Sequence, residues 1–326
     1  MNTKFLNGKS VLVTGGTGSF GQHFVKALLS SADCKKIIIF SRDEFKQHQM
    51  QRQLPDPEGR LRFLLGDVRD LSRLTRAFAG VDIVVHAAAL KQVPALEYNP
   101  LEAVKTNIGG TQNVIDAALD TGVEKVLLVS TDKAANPINL YGATKLCAEK
   151  LLVAANAYRR ASQLPPCFSV VRYGNVMGSR GSIVETINEQ KKSGEVTLTD
   201  AQMTRFWITL DKAIDLVLYA LATMRGGEIF VPKLPAMKVV DLIKSLAPEC
   251  RIKLIGIRPG EKIHEDLLTS DEARRTRDAG EYYIVEPSHE WWQGEHLKES
   301  PYLPPNFNYS SNEVRPLNQE DFLNFV

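Results

Sequence analysis

Residues 130 to 145, STDKAANPINLYGATK, hold the densest chemistry in the chain. Tyr141 and Lys145 stand four apart, so a helix that starts near Tyr141 puts both side chains on one face. A cation beside a phenol favours the phenolate and makes Tyr141 a usable base near neutral pH. Directly upstream, Ser130, Thr131, Asp132 and Lys133 set two hydroxyls, a carboxyl and an amine at the end of the apolar run KVLLVS. Oxidation of an alcohol needs only the tyrosine and the lysine. The extra acid and base predict an enzyme that oxidises its substrate in order to do something further to it.

A Tyr-x-x-x-Lys pair also arises on solvated helices, and a second motif gives this one its weight. Residues 14–21 read TGGTGSFG, between the apolar run VLV and the helical pattern FGQHFVKALL. Gly15 permits a tight turn, Gly18 lets the backbone approach a pyrophosphate, and Gly21 allows close packing of helix on strand. The helix N-terminus then faces the phosphates. Gly15, Thr17, Gly18, Ser19, Phe20 and Gly21 are therefore candidate cofactor-binding residues. The glycine spacing is G-x-x-G-x-x-G rather than the more widespread G-x-G-x-x-G.

The elements that must position these groups are legible as alternating runs. Apolar segments at 10–15, 36–41, 61–67, 82–89, 125–131 and 168–174 predict strands, with helical patterns near 19–31, 70–79, 100–121 and 141–161. Continuous apolar strands separated by helices predict an α/β fold with a Rossmann-type, doubly wound parallel sheet covered on both faces. Function then belongs at the carboxyl ends of the strands, where both motifs fall. Residues 1–175 are expected to form the dinucleotide-binding domain. Residues 176–326 are expected to form a smaller, loop-rich C-terminal substrate domain and tail, with a helix at 212–225 returning to the first.

Bulk properties narrow the class. Of the 326 residues 44% are hydrophobic and 24% charged, with a net charge of +2. Such a balance gives no reason to expect nucleic acid or an anionic membrane as a partner. The segment MNTKFLNGKS lacks the apolar core of a signal peptide, and no run reaches the length of a membrane span. Cys34, Cys147, Cys167 and Cys250 are far apart, which suits a reducing cytoplasm. The histidines are scattered as well, so no metal site is expected.

The end of the second strand bears on cofactor choice. An acidic residue there usually bonds the adenosine ribose of NAD. This chain has Phe40, Ser41, Arg42, Asp43 and Glu44, with Lys46 close behind. A hydroxyl and a guanidinium suit a 2′-phosphate, so NADP is the expected cofactor. The competing reading is a surface arginine paired with Asp43 or Glu44. Asp67 and Val68, ending the third strand, are placed to contact the adenine. Ala87 and Ala88, ending the fourth, leave room for the cofactor, with Lys91 nearby.

TGGTGSFG, HAAALKQVP (86–94), TNIGGTQNV (106–114), STDKAANP with YGATK, and RYGNVMGSRGS (172–182) resemble an extended short-chain dehydrogenase/reductase. In more detail the chain resembles the inverting UDP-N-acetylglucosamine 4,6-dehydratases, which begin pseudaminic acid and related surface-sugar synthesis. The resemblance runs from residue 9 to about 270 and includes TRFWIT (204–209) and RPGEKIHE (258–265). Thr131-Asp132-Lys133 is the discriminating motif: retaining dehydratases of this kind carry Asp-Glu at the last two positions, and simple 4-epimerases have no such pair.

The resemblance implies a sequence of roles. Tyr141 takes the C4 hydroxyl proton as the cofactor oxidises C4, and the resulting ketone acidifies C5–H. Lys133 removes that proton, Asp132 protonates the departing C6 oxygen, and C5 is reprotonated on the opposite face. Lys145 bonds the nicotinamide ribose, Thr131 or Ser130 the sugar, and Asn107 either holds a relay water or is simply buried helix polarity. Lys91, Asn175, Arg205, Arg258 and Glu261 match the family's contacts to the UDP-sugar, and residues 309–312 could close over it. For Lys133 to be neutral and Asp132 protonated, the two side chains are expected to diverge. A homo-oligomer is expected, as the family forms assemblies. The competing readings are a nucleotide-sugar 4-epimerase, against which Asp132-Lys133 argues, and a non-catalytic NADP-binding protein.

Overall fold

The structure is a computed structural model and describes residues 3–158, 166–289, 292, 295–314, 316–317 and 322. Each of the six apolar runs forms a strand: β1 (Ser10–Thr14), β2 (Lys36–Ser41), β3 (Leu61–Leu65), β4 (Ile83–His86), β5 (Lys125–Thr131) and β6 (Cys167–Tyr173). They lie side by side in the order β3-β2-β1-β4-β5-β6, every pair parallel. All five residues of β1 and all four of β4 are buried, as continuous apolar strands require when helices cover both faces. The strand order reverses between β1 and β4, and a crevice opens there at the carboxyl ends.

The chain beyond residue 175 builds two things at once. Its strands are β7 (Asn175–Val176), β8 (Glu195–Leu198), β9 (Thr204–Ile208), β10 (Ile229–Pro232), β11 (Ala236–Lys238), β12 (Arg251–Leu254), β13 (Asp266–Leu268), β14 (Thr276–Ala279), β15 (Tyr282–Val285) and β16 (Tyr309–Ser310). β10 joins β6 in parallel, and β15 and β14 follow antiparallel, completing a nine-stranded sheet. The region beyond residue 175, expected from its sequence to form the smaller unit with one returning helix, is thus divided between the two. The other strands form small sheets: β8 and β12 lie beside a second apolar core that includes Met177, Ile187, Trp207, Leu242 and Ile243, while Leu267 and Leu268 of β13 and Tyr309 of β16 join the first.

Helix Leu210–Thr223 packs on β5, β6 and β10 and against helix Ser19–Ser31. The long helical pattern at 100–121 is interrupted by a π-helical turn at Val104–Gly109, which contains Asn107. Among the described residues no helix is long and apolar enough to cross a membrane.

Candidate active site

Asn139 sets the start of the catalytic helix. Its Oδ1 accepts from Gly142 N–H at 2.8 Å and caps helix Leu140–Ala154, so Tyr141 and Lys145 share a face. A Cβ on Gly142 would lie 2.1 Å from the Lys133 carbonyl oxygen, a contact only glycine permits. That close packing brings the helix start against the Thr131–Lys133 turn. A cavity of about 1020 Å³ crosses the strand ends here, and Thr131, Lys133, Tyr141 and Lys145 all line it.

Asp132 is fully buried beneath the cavity wall and does not line it. Its Oδ1 accepts from Thr131 Oγ1 at 2.8 Å and from Lys133 Nζ at 3.0 Å, and among the described residues its Oδ2 has no hydrogen-bond partner. The expected divergence of Asp132 and Lys133 is therefore not what the structure has. Asp132 is shut off from solvent, and the Lys133 ammonium at its side offsets the cost of burying its charge. Glu265 Oε1 adds a second carboxylate 3.4 Å from Lys133 Nζ, and Asn175 Oδ1 accepts from it at 3.4 Å. Burial alone would strip the proton from Lys133, but Asp132 and Glu265 outweigh it and raise its affinity for that proton.

Tyr141 is pushed up to about 12 by burial; the Lys133 ammonium and a hydrogen bond from Thr131 pull the other way. The cation acting on the phenol is thus Lys133, where the spacing alone suggested Lys145. Lys145 is lowered to about 8 by burial, against the opposing pull of Glu149, and its Nζ donates to Val129 O at 2.8 Å. Glu149 belongs to a buried network. Arg172 gives it two hydrogen bonds, at 3.1 and 2.6 Å, gives two more to Glu272 at 2.9 and 3.0 Å, and one to Leu267 O at 3.0 Å. All five guanidinium donors are satisfied. Ser130 Oγ donates to Glu149 at 2.5 Å, so Ser130 braces the helix that carries Lys145.

At the other end of the cavity, Gly15, Thr17, Gly18, Ser19, Phe20 and Gly21 form its floor. A Cβ on Gly21 would lie 2.5 Å from Gly16 Cα, so the helix can approach the turn this closely only at glycine. Gly18 is the N-cap of helix Ser19–Ser31 and brings no side chain to its first amides, which leaves them to an anion. Ala87, Ala88, Asp67 and Val68 line the adjacent walls. The floor, the open amides and the length of the cavity fit a dinucleotide.

Past β2, Arg42 is exposed and reaches Asp67 at 3.4 Å, while Asp67 is held more closely by Arg69 at 2.7 Å. Asp43 caps helix Glu44–Gln53 and pairs with Lys46 at 2.9 Å. Ser41 is buried, its hydroxyl and carbonyl accepting from Gln47. Asn107 lies outside the cavity lining. Its amide exchanges two hydrogen bonds with the Leu90 backbone at 2.9 Å and donates to Thr144 Oγ1 at 3.0 Å, the buried-polarity arrangement.

The remaining expected substrate contacts all line the same cavity: Lys91, Asn175, Arg205, Arg258 and Glu261. Arg205 is buried and donates to the carbonyls of Thr204, Ile263 and Lys262, bracing β9 against the 262–265 segment. Glu261 accepts from Arg258 N–H, which shapes the turn and leaves the Arg258 side chain exposed at the cavity rim. Tyr309 does not cover the cavity. It is buried in β16, and its hydroxyl donates to Leu234 O at 3.0 Å.

The family model described as polysaccharide biosynthesis protein matches residues 11–287. A Campylobacter jejuni protein named UDP-N-acetylglucosamine 4,6-dehydratase (inverting) is 51% identical over 284 residues, 86% of this chain and 84% of its own. A Rickettsia akari protein named UDP-glucose 4-epimerase is 45% identical over 285 residues, 85% of this chain and 82% of its own. The Streptomyces venezuelae dTDP-glucose 4,6-dehydratase DesIV, solved with NAD and TYD bound, superposes with a TM-score of 0.68 at 26% identity, over 78% of this chain and 86% of that one.

Proposed function

The chain belongs to the polysaccharide biosynthesis protein family, and from that premise we propose that it is an NADP-dependent, inverting UDP-N-acetylglucosamine 4,6-dehydratase. The observation that carries this reading is the Asp132–Lys133 hydrogen bond at 3.0 Å, with Lys133 and Tyr141 lining one cavity. An epimerase exchanges configuration at C4 and has no use for an acid and a base directed at C5 and C6. The name of the Rickettsia relative favours an epimerase as the second reading.

Gly15–Gly21 and Lys145 would hold a nicotinamide dinucleotide, which when bound would supply the oxidation at C4 and the reduction at C6. NADP over NAD is supported by Arg42 and Lys46 at the end of β2, where a 2′-phosphate would meet two cations. Tyr141 takes the C4 hydroxyl proton as its phenolate, a form that burial disfavours and the Lys133 ammonium partly restores. Once protonated, Tyr141 no longer presents a negative charge to Lys133. The ammonium is then less favoured, and one proton can pass along the existing hydrogen bond from Lys133 Nζ to Asp132 Oδ1.

That single transfer makes both groups reactive: a neutral amine facing C5 and a carboxylic acid for the C6 oxygen. Lys133 takes the C5 proton, and Asp132, which does not line the cavity, passes its own through the Thr131 hydroxyl hydrogen-bonded to it to the leaving hydroxide, which departs as water. The ion pair is thereby restored. Inversion requires the returning proton to reach C5 from the face opposite Lys133, so the product carries a solvent-derived proton there. Arg258 and Lys91 are the cations proposed for the UDP diphosphate, with Asn175 and Thr131 toward the sugar.

The test is to incubate the purified protein with UDP-N-acetylglucosamine and no added cofactor, following product mass. Loss of one water supports the dehydratase. Conversion to an isomer of unchanged mass contradicts it.

A further inference from the structure

The segment 179–182 leaves β7 and returns to the glycine-rich turn. Arg180 N–H donates to Ser19 Oγ at 3.1 Å, and Arg180 O accepts from Lys91 Nζ at 2.9 Å. Gly181 follows in the left-handed region, at φ 69°, and its N–H donates to Glu185. Ser19 opens the helix over the cavity floor, and Lys91 follows β4, so the segment is anchored to both strand ends that frame the cofactor crevice.

The Arg180 side chain has a different status from its backbone. It is exposed, lines the cavity, and among the described residues its guanidinium has no hydrogen bond or ion pair. A residue fixed at both N–H and C=O, with an unpaired guanidinium in the cavity that the open helix amides also line, is placed for an anionic ligand.

We propose that residues 179–182 are a strap across the dinucleotide and that Arg180 grips its diphosphate. The proposal rests on the reading of a nicotinamide cofactor restored at each turnover. Such a cofactor gains nothing by leaving, and a strap slows its exit. β7, only a few residues upstream, carries Asn175 against Lys133, so the strap also ties the acid–base turn to the cofactor floor. The UDP diphosphate offers the same chemistry, but the Ser19 anchor favours the dinucleotide.

The experiment uses the intact protein with R180Q, R180K and S19A, none of which alters a buried packing group. Cofactor carried through gel filtration and its dissociation rate are read by chromatography of the nucleotides released on denaturation. R180Q is expected to lose cofactor about tenfold faster or more, the effect of one charge-assisted hydrogen bond. R180K recovers part of the loss, and S19A releases cofactor faster than the wild type. With cofactor saturating, KM for UDP-N-acetylglucosamine changes by less than about threefold in R180Q. Unchanged retention in R180Q overturns the strap, and a raised KM alongside it assigns Arg180 to the sugar nucleotide instead. If the wild type retains cofactor in an Arg180-dependent way yet does not dehydrate UDP-N-acetylglucosamine, the strap stands and the dehydratase reading falls.

Discussion

Lys133 Nζ lies 3.0 Å from Asp132 Oδ1, so the acid and the base of the proposed elimination are hydrogen-bonded to each other. Elimination needs Lys133 without its proton and Asp132 with one. One proton moved across that bond corrects both, which makes the pair a single unit rather than two independent catalysts.

Asp132→Asn removes the acid but leaves the Lys133 ammonium with Glu265 beside it. Oxidation at C4 is expected to persist while dehydration falls about 10²- to 10⁴-fold, the usual weight of general acid catalysis. Mixing the variant with UDP-N-acetylglucosamine should build up the near-ultraviolet absorbance of reduced nicotinamide. Loss of that signal together with dehydration would mean that Asp132 serves the first step instead.

Lys133→Met affects the first step as well. Without the ammonium the Tyr141 phenolate loses its main favourable charge, and the phenol's already raised pKa moves higher. The pH at which C4 oxidation becomes fast should therefore shift in the alkaline direction. Single-turnover reduction of bound cofactor as a function of pH checks this, and an unshifted profile would show that Lys133 does not act on Tyr141.

The buried arginine network makes the fold sensitive to acid. Glu272 is held at about 2 against an ordinary 4.5: burial opposes its ionisation, and the Arg172 guanidinium overrides that cost. A depressed carboxylate stabilises the fold above its unfolded value and loses that contribution as pH falls from about 4.5 through about 2, here about 3 kcal/mol. Glu272→Gln should cost about 3–5 kcal/mol at neutral pH by leaving Arg172 incompletely paired, and should flatten the acid limb of urea stability measured against pH.

Arg42→Ala tests cofactor choice. Weaker binding of NADP by about tenfold or more, with NAD binding unchanged, is the expected result of removing a partner for the 2′-phosphate. Titration of nucleotide-free protein with each dinucleotide measures it. Equal effects on both would return Arg42 to the role of a surface partner for Asp67.

The sheet was legible because its strands advertise themselves. β1, β2 and β4 are near-continuous apolar runs, and a doubly wound sheet is the architecture that buries such runs on both faces. The strands β10, β14 and β15 were not, since they lie in a region read as loop-rich and take their place in the sheet from pairing. The glycine turn and the Tyr141–Lys145 helix face could be read from spacing. Glu265 could not: it is one carboxylate among the charges of KIHED, and only the fold brings it to Lys133. Arg172 did leave a signal, a lone arginine inside FSVVRYG, which in a buried strand demands acidic partners. Its partners, Glu149 and Glu272, lie far away in sequence.

Proton NMR of the reaction with UDP-N-acetylglucosamine in D₂O bears most directly on the Asp132–Lys133 assignment. A 4-keto-6-deoxy sugar with deuterium at C5 and the L-arabino configuration is the predicted product. Formation of UDP-N-acetylgalactosamine with its C5 proton retained would contradict the dehydratase and leave Asp132–Lys133 without a role in the reaction.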